Sequence, residues 1–254
     1  WCSSRLSTFS NGLVDIKDPE RSALQVANSE TGIIQEYKEG IWLSDMTQAF
    51  GKIPLAFNWN GCHCAMISAH KIGGPKGIGA LIVKRGIDLV AQIKGGGQEM
   101  GRRSGTENLL GIVGFGAAAQ AAHKDLENGE WDKISEFRMI LENMIEEFSD
   151  VPILVGKDSK RLPNTMCLIT PGWRGETQVM QMDLEGIAVS AGSACSSGKV
   201  KPSDVLRAMG FSDEQASCAL RVSLGLETTK DEVMRFADTW TKKFENNVKR
   251  KNNM

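Results

Sequence analysis

Apolar and polar positions follow two periods along this chain of 254 residues. Short apolar runs bounded by Gly, Pro, Asn or Asp predict strands at residues 13–16, 23–27, 41–45, 65–67, 80–83, 166–169 and 219–225. Longer stretches carry a helical stripe. Trp131, Ile134, Phe137, Leu141, Met144, Ile145 and Phe148 fall at three- and four-residue steps and read as core. A helix rich in small residues starts near Glu107 and runs through Gly111, Gly114, Gly116 and Ala117. Others span 176–184, which stops at Gly186, and 205–209, which Gly210 closes. The last opens with a Thr229–Glu232 capping box and continues through Val233, Phe236, Trp240 and Phe244. The polar tail from Lys249 is expected to fray. Strands interleaved with helices predict an α/β fold.

Composition narrows the class. At 41% hydrophobic and 24% charged residues the chain reads as globular, and its net charge of −1 implies no general affinity for nucleic acid. No apolar run approaches the roughly 18 residues of a membrane span, and no signal peptide is visible. The six cysteines are scattered, which fits a reduced, cytoplasmic setting better than a disulfide framework. Cys62-His63-Cys64 is compact but has no second pair at zinc spacing, so no metal site is expected.

Four stretches carry candidate chemistry. The first is Ser68-Ala69-His70-Lys71-Ile72-Gly73-Gly74-Pro75-Lys76-Gly77-Ile78-Gly79, set between two apolar runs. A lysine at the end of a buried strand, beside hydroxyl and imidazole donors, suits covalent capture of a carbonyl. Partial burial would lower its amine from a reference pKa of about 10.4. The alternative is a Gly-Pro turn with a solvated lysine. A phosphate loop fits less well, because no Gly-Lys-Ser/Thr ending is present and a strand follows. The second stretch is Asn28-Ser29-Glu30-Thr31-Gly32, a polar cluster after a strand. In the third, Gly95 to Asn108, Arg102 and Arg103 stand among glycines as a candidate anion site. In the fourth, Cys195 sits in a Ser- and Gly-rich loop at 190–198, either a mobile nucleophile or an incidental cysteine in a linker.

Together these stretches resemble the cysteine desulfurases, fold-type I enzymes dependent on pyridoxal 5'-phosphate (PLP). The resemblance rests on Ser-Ala-His-Lys with Gly-Gly-Pro-Lys-Gly-Ile-Gly, on Gly-Gly-Gly-Gln-Glu with Arg-Ser-Gly-Thr, and on the cysteine loop. It implies an incomplete PLP-binding large domain with a mostly parallel sheet over residues 1–118. A smaller C-terminal α+β domain over 119–254 would carry the cysteine loop. It implies that Lys71 forms a Schiff base with PLP and that Cys195 becomes a persulfide. Asp45 would pair with the pyridine nitrogen, Gln48 and Ser29 with the ring oxygen, Ser68 and His70 with the phosphate, and Thr106 with the phosphate of the other subunit. Arg221 and Asn28 would hold the substrate. Ser29 replaces the second asparagine of the family's Asn-Asn-Glu-Thr-Gly loop, and Met100 stands where arginine or histidine is common. The implied reaction turns L-cysteine into L-alanine and passes sulfur to a scaffold or tRNA-thiolation protein, in a cytoplasmic homodimer.

Two departures qualify the resemblance. The segments before Asn28 and between Gln35 and Asp45 are short for the family's crossover helices. The family's N-terminal part, with a Thr-bearing phosphate loop and a ring-stacking histidine, has no counterpart here. A non-catalytic truncated fragment and a related selenocysteine lyase are therefore the alternatives.

Overall fold

The computed structural model describes residues 7–192 and 202–252. In chain order the elements are β1 (Ser7–Thr8), β2 (Val14–Asp15), β3 (Ala23–Gln25), β4 (Leu43–Asp45), β5 (Cys64–Ser68), β6 (Gly79–Val83), α1 (Leu109–Glu127) and α2 (Glu130–Phe148). They continue with β7 (Ile153–Leu154), β8 (Thr165–Ile169), α3 (Gly175–Asp183), β9 (Ser190–Ala191), α4 (Asp204–Ala208), α5 (Asp213–Ser217), β10 (Ala219–Ser223) and α6 (Lys230–Asn252). None of the described helices is long and apolar enough to cross a membrane. Two compact units form. One holds Lys17–Val26 and Tyr37–Asn128; the other holds the described residues through Ile16, then Ala27–Glu36 and the chain from Gly129. The division falls after Asn128 rather than at 118, because α1 runs unbroken to Glu127. The C-terminal unit also takes in two earlier stretches that sequence order alone assigns to the other side.

The first unit is built on a four-stranded sheet in the order β3-β4-β5-β6. β3, β4 and β5 run parallel, and β6 closes the edge antiparallel to β5. A parallel pair needs a crossover of about a dozen or more residues. Here the connections, 26–42 and 46–63, contain turns and no α-helix; the first includes the segment between Gln35 and Asp45 that is short for a crossover helix. α1 starts where the Asn108 side chain accepts the Gly111 N–H at 3.0 Å, a side-chain N-cap. Its small residues let it approach the loop after β5. A Cβ on Gly114 would lie 2.6 Å from Pro75 Cγ, so only glycine fits there.

The second unit packs both faces of an antiparallel sheet, order β7-β8-β10-β9. The two-residue period of β8 sends Met166 and Leu168 to one core and Cys167 and Ile169 to another. The first core is filled from α2 and α6. Trp240 stacks on Phe244 with ring centroids 5.3 Å apart, and Trp173 lies 5.7 Å from Trp240. Gln178, fully buried, joins three segments through its amide. Its Nε2 donates to the carbonyls of Trp173 (2.8 Å) and Cys218 (3.1 Å), while Oε1 accepts from Trp240 Nε1 (3.2 Å). The final helix continues to Asn252, past the point where the polar tail was expected to fray.

A buried charge cluster ties α2 to the loop before β8. The Glu142 carboxylate accepts from Arg138 Nη1 at 2.8 and 2.9 Å and from both terminal nitrogens of Arg161 at 2.6 and 3.0 Å. All three side chains are almost out of solvent, at 7%, 11% and 4% exposure. Removing the shared carboxylate strands two guanidinium groups. Glu142→Ala is expected to cost about 3–5 kcal/mol of stability in urea unfolding followed by tryptophan fluorescence, well above a surface ion pair.

Candidate active site

The first unit gathers one set of candidate residues at the C-terminal ends of neighbouring parallel strands, where open α/β sheets place ligands. Asp45 ends β4 in register with Met66 of β5. Its Oδ1 accepts the Thr47 N–H at 2.9 Å, which fixes the carboxylate, and Oδ2 has no hydrogen bond among the described residues. Gln48 follows in the next turn, half-buried. β5 ends at Ser68, whose Oγ lies 2.8 Å from His70 Nδ1. Lys71 closes the short 3₁₀ turn Ala69–Lys71 that follows. That turn is anchored by buried Ala69, whose carbonyl accepts from Ile72 and Gly74.

The structure changes the assignment of the buried amine. Lys71 is exposed, so the partial burial expected of it is absent. The buried lysine is Lys52, at 8% exposure, which donates from Nζ to the Gln48 carbonyl at 2.7 Å. Burial pushes its amine down from the ordinary 10.5 to about 8, with a smaller push from the charge of Lys71. Lys52 thus clamps the turn that carries Gln48. Sequence reasoning passed over it because an amine after Gly51 reads as a surface residue.

The glycine-rich loop also differs from expectation. Arg103 does not stand open to an anion. Its Nη1 donates to the carbonyls of Gly105 (2.7 Å) and Ser104 (3.3 Å), and Nη2 meets Glu99 at 3.3 Å. The loop needs these bonds because Glu99 and Met100 both adopt left-handed backbone, φ 51° and 57°. Thr106 is exposed ahead of α1 and has no hydrogen bond to Ser68, His70 or Lys71 among the described residues. Cys62 and Cys64 point inward, and the His63 ring lies 5.4 Å from Trp42.

A second set lies in the other unit. Arg221 is on β10, paired in register with Cys167 of β8. Alternation puts Leu220 and Val222 into one core and turns Arg221 to the opposite side. Its Nη1 donates to the Ser29 carbonyl at 2.9 Å and its Nη2 to Ser190 Oγ at 3.2 Å, while Nε is buried without a partner among the described residues. Loop 28–33 supplies the carbonyl. Asn28 Oδ1 accepts from the N–H groups of Glu30 (2.9 Å) and Thr31 (3.1 Å), and Gly32 closes the loop at φ 74°. A Cβ on Gly32 would also lie 2.8 Å from Thr165 Cβ. Asn28, expected at the substrate, therefore uses its oxygen inside the loop and keeps only its amide nitrogen for a ligand. Ser29 contributes its carbonyl to Arg221. Glu30, absent from the sequence-derived set, receives Ser203 Oγ–H at 2.5 Å; burial raises its carboxyl pKa, opposed by Ser203 and by the charge of Arg221. Cys167 beneath them is wholly buried, and its thiol is pushed up to about 12. Cys195 lies outside the described residues.

Chemically, the first set offers a primary amine, a hydroxyl–imidazole pair and a carboxylate with a free oxygen. That donor set fits a small aromatic aldehyde carrying a phosphate and a basic ring nitrogen. The second set offers a guanidinium with unused donors, which fits a carboxylate.

Comparison with known proteins agrees with this chemistry. The aminotransferase class-V family model matches residues 19–236. A cysteine desulfurase of Frankia sp. (strain EuIK1) is 37% identical over 92% of this chain and 60% of its own length. The X-ray structure of a NifS-like protein from Rickettsia africae ESF-5 superimposes with a TM-score of 0.84 at 30% identity, over 94% of this chain and 69% of that one. A structure titled SspA in complex with cysteine gives a TM-score of 0.67 at 27% identity, over 89% and 67%. The chain thus spans about 60% of the length of the curated relative it matches.

The Lys52 assignment has a measurable consequence. Its folded-state pKa lies below its unfolded value, so the unfolded chain binds more protons between the two. Stability is expected to rise from about pH 8 to about 10.5 by about 3 kcal/mol through this group. Lys52→Met should remove that rise in urea titrations at stepped pH.

Proposed function

Because the chain belongs to the aminotransferase class-V family, we propose that it carries the cofactor- and substrate-binding residues of a PLP-dependent cysteine desulfurase acting on L-cysteine. The observation that carries the reading is the placement of Asp45, the Ser68–His70 pair and the Lys71 amine at the ends of adjacent parallel strands. Those residues match the donor set that PLP requires. When bound, PLP supplies an electron sink for bond changes at the substrate's Cα and Cβ.

In this reading Lys71 would hold PLP through its Nζ amine, which is exposed and could also hold a proton. Asp45 would hold the ring nitrogen. Ser68 and His70 would hold the phosphate together with Thr106 of a second copy, and Gln48 and Ser29 the ring oxygen. Arg221 receives the substrate α-carboxylate, with Asn28 Nδ2 beside it. Cys195 supplies the thiolate. An S–S bond forms as the substrate C–S bond breaks, so Cys195–SH and L-cysteine become Cys195–S–SH and L-alanine. The persulfide then passes to a scaffold or tRNA-thiolation protein, from a cytoplasmic homodimer.

The test is to incubate the chain with PLP, reduce with borohydride and map the peptides. A pyridoxyl group fixed on Lys71, and lost in Lys71→Ala, is the expected result. Label on Lys52 instead would move the amine; a folded chain with no label would make it a non-catalytic relative. Cys195→Ser should keep the Lys71 label and lose all persulfide, read by alkylation and mass spectrometry.

A further inference from the structure

Arg221 raises a question that its own contacts do not answer. It is a half-buried guanidinium, Nε has no partner among the described residues, and the Glu30 carboxylate is near enough to feel its charge. Glu30 is also the residue after Ser29, whose carbonyl Arg221 already holds. A half-buried arginine and a glutamate that feels its charge frequently close into a bidentate pair. Here they do not: among the described residues no ion pair within 4.0 Å joins them. The Glu30 carboxylate is turned to Ser203, which donates from Oγ at 2.5 Å.

Ser203 is fixed for this task. It is fully buried, and its hydroxyl oxygen accepts the Leu206 N–H at 3.1 Å as the N-cap of α4. With its oxygen engaged by the helix, its proton is aimed at Glu30. The opposite end of the Glu30 residue is held too, since its N–H donates to Asn28 Oδ1 at 2.9 Å.

We propose that Ser203 and Glu30 form a latch that keeps an internal carboxylate off Arg221, leaving the guanidinium open to the α-carboxylate of an amino-acid substrate. Glu30 and Ser203 are positioning residues: neither touches substrate. The latch rests on the reading of Arg221 as the carboxylate site. Without Ser203, the Glu30 carboxylate turns to Arg221 and competes with the ligand. Without the Glu30 charge there is nothing to hold back, and Ser203 becomes dispensable for binding.

Two measurements on the whole chain test it. In calorimetric titration with L-alanine, Ser203→Ala should weaken binding roughly tenfold, the scale of a charge-assisted hydrogen-bonded competitor. Adding Glu30→Gln to that variant should restore affinity to within about threefold of the parent. Loss of the α4 cap alone would give the first effect but not the rescue, so a double variant as weak as Ser203→Ala overturns the latch. So does a Ser203→Ala variant that binds as the parent does. Arg221→Ala binding L-alanine with parental affinity would instead remove the carboxylate-site reading. The second measurement needs no ligand. In ¹⁵N spectra the Arg221 side-chain Nε–H should shift in Ser203→Ala and return in the double variant. An unmoved signal overturns the latch whatever Arg221 binds.

Discussion

A charged residue on a strand covered on both faces sets the terms for the C-terminal unit. The period of β10 allows Arg221 only one side, the side on which Ala219, Cys167 and Ile169 are buried. A guanidinium there needs acceptors, because desolvation without hydrogen bonds costs several kcal/mol. The acceptors come from far away in sequence. Loop 28–33 brings the Ser29 carbonyl, and β9 brings Ser190. This explains why Ala27–Glu36 leaves its sequence neighbours to join the C-terminal unit. It also explains the loop's internal economy: Asn28 and Gly32 shape a turn whose product is one outward carbonyl. The same crowding leaves Cys167 a neutral thiol, packing as a small hydrophobe rather than acting as a nucleophile.

The opposite face of that sheet has no such demand and is filled with aromatic and aliphatic side chains from α2 and α6. Gln178, fully buried there, is matched by two carbonyls and an indole. A satisfied amide of this kind fixes how α3 and α6 meet, which apolar contacts alone do loosely. The sheet therefore separates two functions by face: one face supplies cohesion, the other presents a charge.

How much of this the sequence disclosed depended on how local the cause was. The stripe from Trp131 to Phe148 gave α2 because burial there repeats with the helix itself. The Thr229–Glu232 box appears as expected, Thr229 N–H meeting Glu232 at 2.9 Å. Ser212 and Gln215 form another box that the same rule would have found. Arg221 was legible as a strand residue, and family resemblance gave it a ligand. What the sequence withheld is what only contact creates. Glu30 and Ser203 stand 173 residues apart, and nothing local marks either as the other's partner. Arg103 looked free because its acceptors are carbonyls of its own loop, whose left-handed turn at Glu99 and Met100 no composition reveals. The interruption of the first unit by residues 27–36 was hidden for the same reason.

The two lysines of the first unit show why an amine's location must be read from structure. Both follow a parallel strand, and a sequence argument favours the one inside the motif for burial. The fold does the reverse. Lys52 is enclosed and spends its hydrogen bond on the Gln48 carbonyl, so it serves as a fixed strut. Lys71 ends a 3₁₀ turn held by Ala69 and the close approach of α1, and its side chain is exposed. An amine that forms and breaks a covalent bond has to exchange partners. Burial in a hydrogen-bonded clamp opposes that exchange, whereas a rigid turn under a free side chain permits it. The backbone supplies the precision, and the side chain keeps its freedom. The buried neighbour is held stationary, and burial pushes its amine down to about 8.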